Sequence, residues 1–215
     1  MVDIMRIKFD EQLDRLNVEL IRMGSLCEES ILAALKLLTT KNTSLADTIE
    51  QAEHDINQAE RDIEALCMKL LLQQQPVARD LRQISSALKM ISDMERIGDQ
   101  ALDIAEISMS ILDYKDENEI LIEEMAKEAI KMVTDSIDSF VKKDLDLANS
   151  VIQYDDIVDN YFTKIRTTLI ENITAGKKEG EYYIDLLMIS KYLERIGDHA
   201  TNIAEWVVYS ITGSH

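Results

Sequence analysis

The amino-acid sequence predicts an all-α protein built as two tandem three-helix bundles related by internal duplication. Three observations carry that prediction. The chain has one proline and six glycines in 215 residues, which leaves little of it for turns or loops. Apolar residues recur at steps of three and four through six segments, the period of a helix that buries one face. The string Glu-Arg-Ile-Gly-Asp occurs twice, at Glu95–Asp99 and Glu194–Asp198, in matching places of that pattern.

The first helix carries Phe9, Leu13, Leu16, Leu20, Met23, Cys27, Ile31, Leu35 and Leu38 as one stripe. A break at Lys41–Ser44 follows, where Thr43 or Ser44 is placed to cap the next helix. The second helix shows Leu45, Ile49, Ala52, Ile56, Ala59, Ile63, Leu66 and Leu70, and ends at Gln73–Pro76 because proline cannot continue the hydrogen-bond ladder. The third runs from about Val77 to Leu112, its stripe opening with Val77, Leu81, Ile84, Leu88 and Ile91.

Asp113–Asn118 is short and polar and links two halves, 1–113 and 119–215. The pattern then restarts. Leu121, Met125, Ala129, Val133, Ile137 and Phe140 mark a fourth helix, and Leu147, Val151, Tyr154, Val158, Tyr161 and Ile165 a fifth. Ala175–Gly180 reads as a loop, and the sixth helix covers Glu181 to Ile211. Helices this long joined by short loops must run antiparallel to bury their stripes, so each half closes as a three-helix bundle. A four-helix bundle with an added hairpin is the other topology, and it breaks the symmetry of the repeat.

Composition narrows the function classes. The formal net charge is −18, from 41 acidic and 23 basic side chains, so the surface repels nucleic-acid phosphates and anionic membranes and suits basic proteins or cations. No apolar run reaches the roughly 20 residues needed to span a bilayer, which predicts a cytoplasmic protein without membrane insertion. Cys27 and Cys67 lie inside helices without CxxC spacing and read as buried, reduced thiols. Met23, Met90, Met94 and Met188 read as core, and Trp206 and Tyr209 as core or interface aromatics. No Gly-rich phosphate loop, HExxH, GxSxG or Cys-His constellation is present, so no enzyme is expected.

The acids are the candidate site. Residues four apart on a helix lie nearly above one another, so Glu95 and Asp99 share a face, with Asp103 and Glu106 on the same side. The sixth helix repeats this with Glu194, Asp198 and Glu205, Asn202 standing where Asp103 does. Asp155 and Asp159 form a third such pair on the fifth helix, and their equivalents on the second are Glu53 and Asn57. Stacked like charges destabilise a helix by a few tenths of a kcal/mol per pair, roughly, and call for an offset. Arg96 and Arg195 supply one as salt bridges; a hard cation such as Mg, Ca, Mn or Fe supplies another. Both readings stand on spacing alone. A di-metal oxidase is disfavoured, since its Glu-x-x-His element is missing. Gly98 and Gly197 point to close helix crossings beside the acids.

At these strings the chain resembles the PhoU family along essentially its whole length. Met23-Gly24, the run Gln75-Pro76-Val77-Ala78-Arg79-Asp80-Leu81-Arg82 and the stretch from Tyr192 to Glu205 carry the resemblance. It implies two three-helix bundles, commonly in a homodimer. It further implies a non-catalytic regulator coupling the phosphate ABC transporter ATPase to a sensor histidine kinase, repressing uptake and the starvation response when phosphate is plentiful. Family members bind metals at E(D)xxxD motifs, so the resemblance makes Glu95, Asp99, Glu194, Asp198, Asp155, Asp159 and Glu53 the candidate ligands, with Fe, Zn, Mg or Mn as candidate ions. Asn57 is neutral where that motif asks for an acid. A metal-binding bundle whose carboxylate-held ion is structural or signalling is the alternative reading.

Overall fold

The computed structural model describes residues 2–73, 76–114, 118–176 and 180–214. They form six helices: α1 (Val2–Thr40), α2 (Leu45–Gln73), α3 (Ala78–Ser110), α4 (Asn118–Lys142), α5 (Leu145–Thr174) and α6 (Gly180–Thr212). No strand occurs among the described residues. Parts of the three expected connections, residues 74–75, 115–117 and 177–179, lie outside the described residues.

Helices α1, α2 and α3 pack on one another, as do α4, α5 and α6. The two bundles meet where α3 crosses α6 and α1 crosses α4. Four helices therefore form an inner ring, α1–α3–α6–α4, with α2 and α5 on the outside. Fully buried Leu16, Leu20, Met23 and Ile31 of α1 and Met90, Met94 and Ile97 of α3 fill the first bundle. Met125, Val133, Leu186 and Ile196 do the same for the second. Removing these side chains from water is the main term holding the helices together.

The duplication extends into the turns. Lys41 and Lys143 both adopt the left-handed backbone region, with φ 57° and 54°. Each stops a helix, and an Asx residue follows in both. The Asn42 carboxamide oxygen accepts from the Ser44 amide at 3.2 Å and the Ser44 hydroxyl at 2.8 Å. The Asp144 carboxylate accepts from the Leu147 amide at 3.0 Å and caps α5. Asn42 thus organises the first turn, and not the Thr43 or Ser44 side chain expected to cap α2. An Asx side chain before a helix start reaches amides two or three residues on, which a hydroxyl does more weakly.

Two apolar expectations change. Val77 and Leu81 are 59% and 43% exposed, and the buried face of α3 begins at Asp80 and continues through Gln83 and Ile84. That helix is held by α1, α2 and α6 together, so its buried surface is not the Val77–Leu81 stripe alone: at its start Asp80 faces inward and Leu81 outward. Met188 is 40% exposed on the side of α6 facing away from its neighbours, while Met23, Met90 and Met94 are core. Cys27 and Cys67 are buried and free, and burial pushes both thiols up to about 12, where they stay protonated.

Candidate functional site

Two glycines set the depth of the acidic grooves. A Cβ on Gly98 would lie 2.9 Å from Ile56 Cδ1 and 3.2 Å from its Cγ2, so α2 crosses α3 at close range here. A Cβ on Gly197 would meet Val158 Cγ1 at 3.3 Å and Asp155 Oδ1 at 3.5 Å, which is the equivalent crossing of α5 on α6. The acids flank both crossings. The expected close approach at Gly98 and Gly197 is therefore present, and it brings carboxylates on facing helices near each other.

In the second half, Asp155 is pushed up to about 6 by burial first, then by the Asp159 and Asp198 charges. Asp159 is raised by burial, Glu194 and Asp156, and eased by Lys191. Asp198 is raised by burial and by Glu194, with Lys191 acting against the shift. These acids are thus one electrostatic cluster across the α5–α6 groove. Its offsetting cation is Lys191, whose ammonium pairs with Glu194. The offset expected of Arg195 is not seen: its guanidinium lies 5.9 Å from the Tyr192 ring centre instead. Lys191 precedes Glu194 by three positions and shares its face, whereas Arg195, one position on, is turned about 100° away.

The first half has a cluster of its own, with Asn57 in place of one acid. Glu95 is raised by burial and then by Asp99 and Glu60, with Arg96 opposing. Asp99 is raised by burial and then by Glu53 and Asp103. The Asn57 carboxamide donates to Glu53, so the neutral residue acts as a local partner for the acid beside it. Ser92 donates to Glu60 at 3.4 Å across the same groove. Glu106 and Glu205 are exposed and take no part in either cluster.

These carboxylates supply the charge and hardness that Mg or Mn prefers. They do not close into a ligand set: among the described residues, no three His, Cys, Asp or Glu side chains are gathered so as to hold a metal ion. His54 is exposed, and His199 is engaged elsewhere.

That engagement is a polar latch between the bundles, unforeseen from the sequence. The Asp93 carboxylate on α3 lies 2.8 Å from His199 Nδ1 and accepts from Asn202 Nδ2 at 3.3 Å, both on α6. At the equivalent place in the repeat, Tyr192 of α6 lies against Asp103 of α3; burial first, and then that carboxylate, raise the phenol. Asp103 therefore belongs as much to the seam as to the acid ladder. Nothing in the spacing of Asp93 marks it, since its partners are supplied by the other half of the chain.

Paired grooves of facing carboxylates, set by glycine crossings in a duplicated six-helix frame, define a repeat-built helical bundle protein of the acid-faced kind. The protein belongs to the PhoU family, whose domain matches it twice, over residues 20–108 and 122–207. It is 35% identical over 208 residues to the phosphate-specific transport system accessory protein PhoU homolog of Clostridium acetobutylicum, covering 95% of this chain and 94% of that one. It is 33% identical to PhoU homolog 1 of Thermotoga maritima, covering 100% and 93%. The crystal structure of PhoU from Pseudomonas aeruginosa superposes with a TM-score of 0.90 at 33% identity, covering 96% of this chain and 100% of that one. That of the regulatory protein PhoU from Streptococcus pneumoniae gives 0.87 at 30%, covering 96% and 98%.

Proposed function

We propose that this chain is a cytoplasmic regulator of phosphate uptake, doing no chemistry of its own and linking the phosphate ABC transporter ATPase to a sensor histidine kinase. It represses uptake and the starvation response when phosphate is abundant, and works as a homodimer. The observation that carries this reading is the pair of PhoU-domain matches, joined to relatives named as accessory proteins of phosphate-specific transport over almost the whole chain. Its net charge of −18 suits docking on basic protein surfaces. No described helix is long and apolar enough to cross a membrane.

The test is transcription of the phosphate-transporter operon in a deletion strain grown in excess phosphate. High expression, returned to low by the intact gene, is the expected result. Unchanged expression and unchanged uptake would overturn the regulatory role. A pull-down from membranes that recovers neither ATPase nor kinase, at high or low phosphate, would remove the adaptor role specifically.

The carboxylate cluster around Asp155 favours a second reading, in which a divalent cation relieves the repulsion among Asp155, Asp159, Glu194 and Asp198. Metal content and melting temperature of the Glu194→Gln, Asp198→Asn double variant test it. If both are unchanged from the parent protein, the acids are not ligands.

A further inference from the structure

One end of the inner ring holds a feature that neither groove explains. A cleft of about 360 Å³ opens between the start of α3, the end of α4 and the end of α6, lined by Arg79, Arg82, Gln83, Phe140, Lys143 and Ile211. Three cations converge there in a protein whose net charge is −18. Among the described residues none of the three is in an ion pair. The Arg82 Nε is buried with no hydrogen-bond partner. Gln83 is 8% exposed, lines the cleft, and its carboxamide makes no hydrogen bond among the described residues. A buried donor left unsatisfied costs stability, and a cleft that keeps one beside three cations and an unpartnered carboxamide is organised for an acceptor.

The repeat supplies an internal comparison. The position equivalent to Gln83 is Tyr182, and that equivalent to Gly213 is Tyr114. At that other end Tyr114 and Tyr182 stack with ring centres 5.0 Å apart, and Tyr182 is 2% exposed. Here glycine and glutamine replace both rings, and Gly213 lies beside the Arg82 guanidinium. Glu181 stands where Arg82 does. One end of the duplicated frame is plugged by aromatics, and the other is open and cationic.

We propose that this cleft is a binding site for a phosphate group. Arg79, Arg82 and Lys143 provide the charge, Gln83 a directed neutral donor, and the first turn of the 33-residue α3 adds the positive end of its dipole. The competing account is that the cations serve the carbonyl ends of α4 and α6. It leaves Arg82 Nε and the Gln83 carboxamide without partners, and no hydrogen bond from these side chains to those carbonyls is present among the described residues. A second cleft shares Arg79, Gln83 and Lys143 but is bordered by Asp10, Asp14 and Asp80, so the anion is confined to the side of Arg82. Free phosphate and the phosphate of a small organic ester have the same recognition chemistry, and the volume admits either.

The site is independent of the adaptor reading, because it is tested on the purified chain without a partner. Calorimetric titration with inorganic phosphate, in chloride at constant ionic strength, is expected to show saturable binding. Arg82→Gln and Lys143→Gln are each expected to weaken it about ten-fold or more, as loss of a charge-assisted contact does. Gln83→Tyr, which copies the plugged end and keeps all three cations, is expected to abolish it. Circular dichroism of each variant checks that the helices persist. Tighter binding of a nucleotide or a sugar phosphate, lost in Gln83→Tyr, would identify an ester as the source of the group. No saturable binding of any of these compounds, or binding that Gln83→Tyr and Arg82→Gln leave intact, would overturn the proposal.

Discussion

Asp93 and His199 meet at 2.8 Å across the seam between the two bundles, one on α3 and the other on α6, with side chains 11% and 13% exposed. Each half of the duplicated chain thus supplies one partner of a contact that neither half makes by itself. A mostly buried polar pair at such a seam discriminates between registers of α3 on α6 more than it adds to stability.

This pair has a measurable coupling. Asp93→Ala is expected to destabilise the protein by about 1–3 kcal/mol, because His199 loses its partner in a mostly buried position. The double variant with His199→Ala is expected to cost less than the sum of the two single changes, by about 0.5–3 kcal/mol. Urea denaturation of the four proteins checks it. Strict additivity would show that the contact contributes nothing to the seam.

The two motif glycines should respond differently to alanine. In an open helix Gly→Ala gains about 1 kcal/mol. At Gly98 the new methyl meets both Ile56 Cδ1 and Cγ2, and the branched, fully buried Ile56 cannot move both aside. Gly98→Ala is therefore expected to lose about 1–2 kcal/mol net. At Gly197 the nearest atom is Val158 Cγ1 at 3.3 Å, and the change is expected to be close to neutral. Melting temperatures in the opposite order would show that the α2–α3 crossing is not the tighter one.

Asp155 gives the stability a pH dependence of predictable sign. Its carboxyl is held up to about 6 from an ordinary 3.8 by burial and by the Asp159 and Asp198 charges. The folded protein therefore binds this proton more readily than the unfolded chain. The contribution to stability is full below the ordinary range and is lost as pH rises through about 6. Asp155→Asn is expected to raise stability at neutral pH by about 1 kcal/mol, after allowing for solvent screening in the groove, and to flatten the profile between the two values. A profile that keeps its slope in the variant would assign the dependence to other groups.

The two turn lysines offer a stabilising change. Left-handed backbone costs a non-glycine residue about 1–2 kcal/mol, and glycine escapes that cost. Lys41→Gly is expected to raise stability by about 0.5–1 kcal/mol in thermal or urea unfolding. Lys143→Gly is expected to do the same while weakening phosphate binding in the α3–α4–α6 cleft, so the two variants separate the turn from the site. Destabilisation in both would mean that the lysine stems contribute more than their backbone strain removes.

The helices and the repeat are legible in the sequence because burial imposes a period that persists through helices of 25 to 39 residues, long enough to outvote local exceptions. Exceptions arise where that period meets a neighbour the pattern does not encode. Val77 and Leu81 continue the phase of Ile84 and yet are exposed beside the buried Asp80, and Met188 sits on the uncovered side of a helix held on three sides. The acids are legible as ladders, since Glu194 and Asp198 share a helix face by arithmetic alone. Their neutralisation is not: Lys191 is the partner, and the more conspicuous Arg195 turns to a tyrosine ring. Asp93 with His199, and Arg79, Arg82 and Lys143 at one cleft, are assembled from distant parts of the chain, and no local spacing announces either.

The outer placement of α2 and α5 has a mechanical consequence. Each touches two helices, both of its own bundle, whereas every helix of the inner ring touches three. The ring is a chassis, and α2 and α5 are leaves hung upon it. Because each acidic groove is bounded by one leaf, a change of charge or a bound ion there acts first on the outer helix of its own half, and the other half is reached only through the chassis.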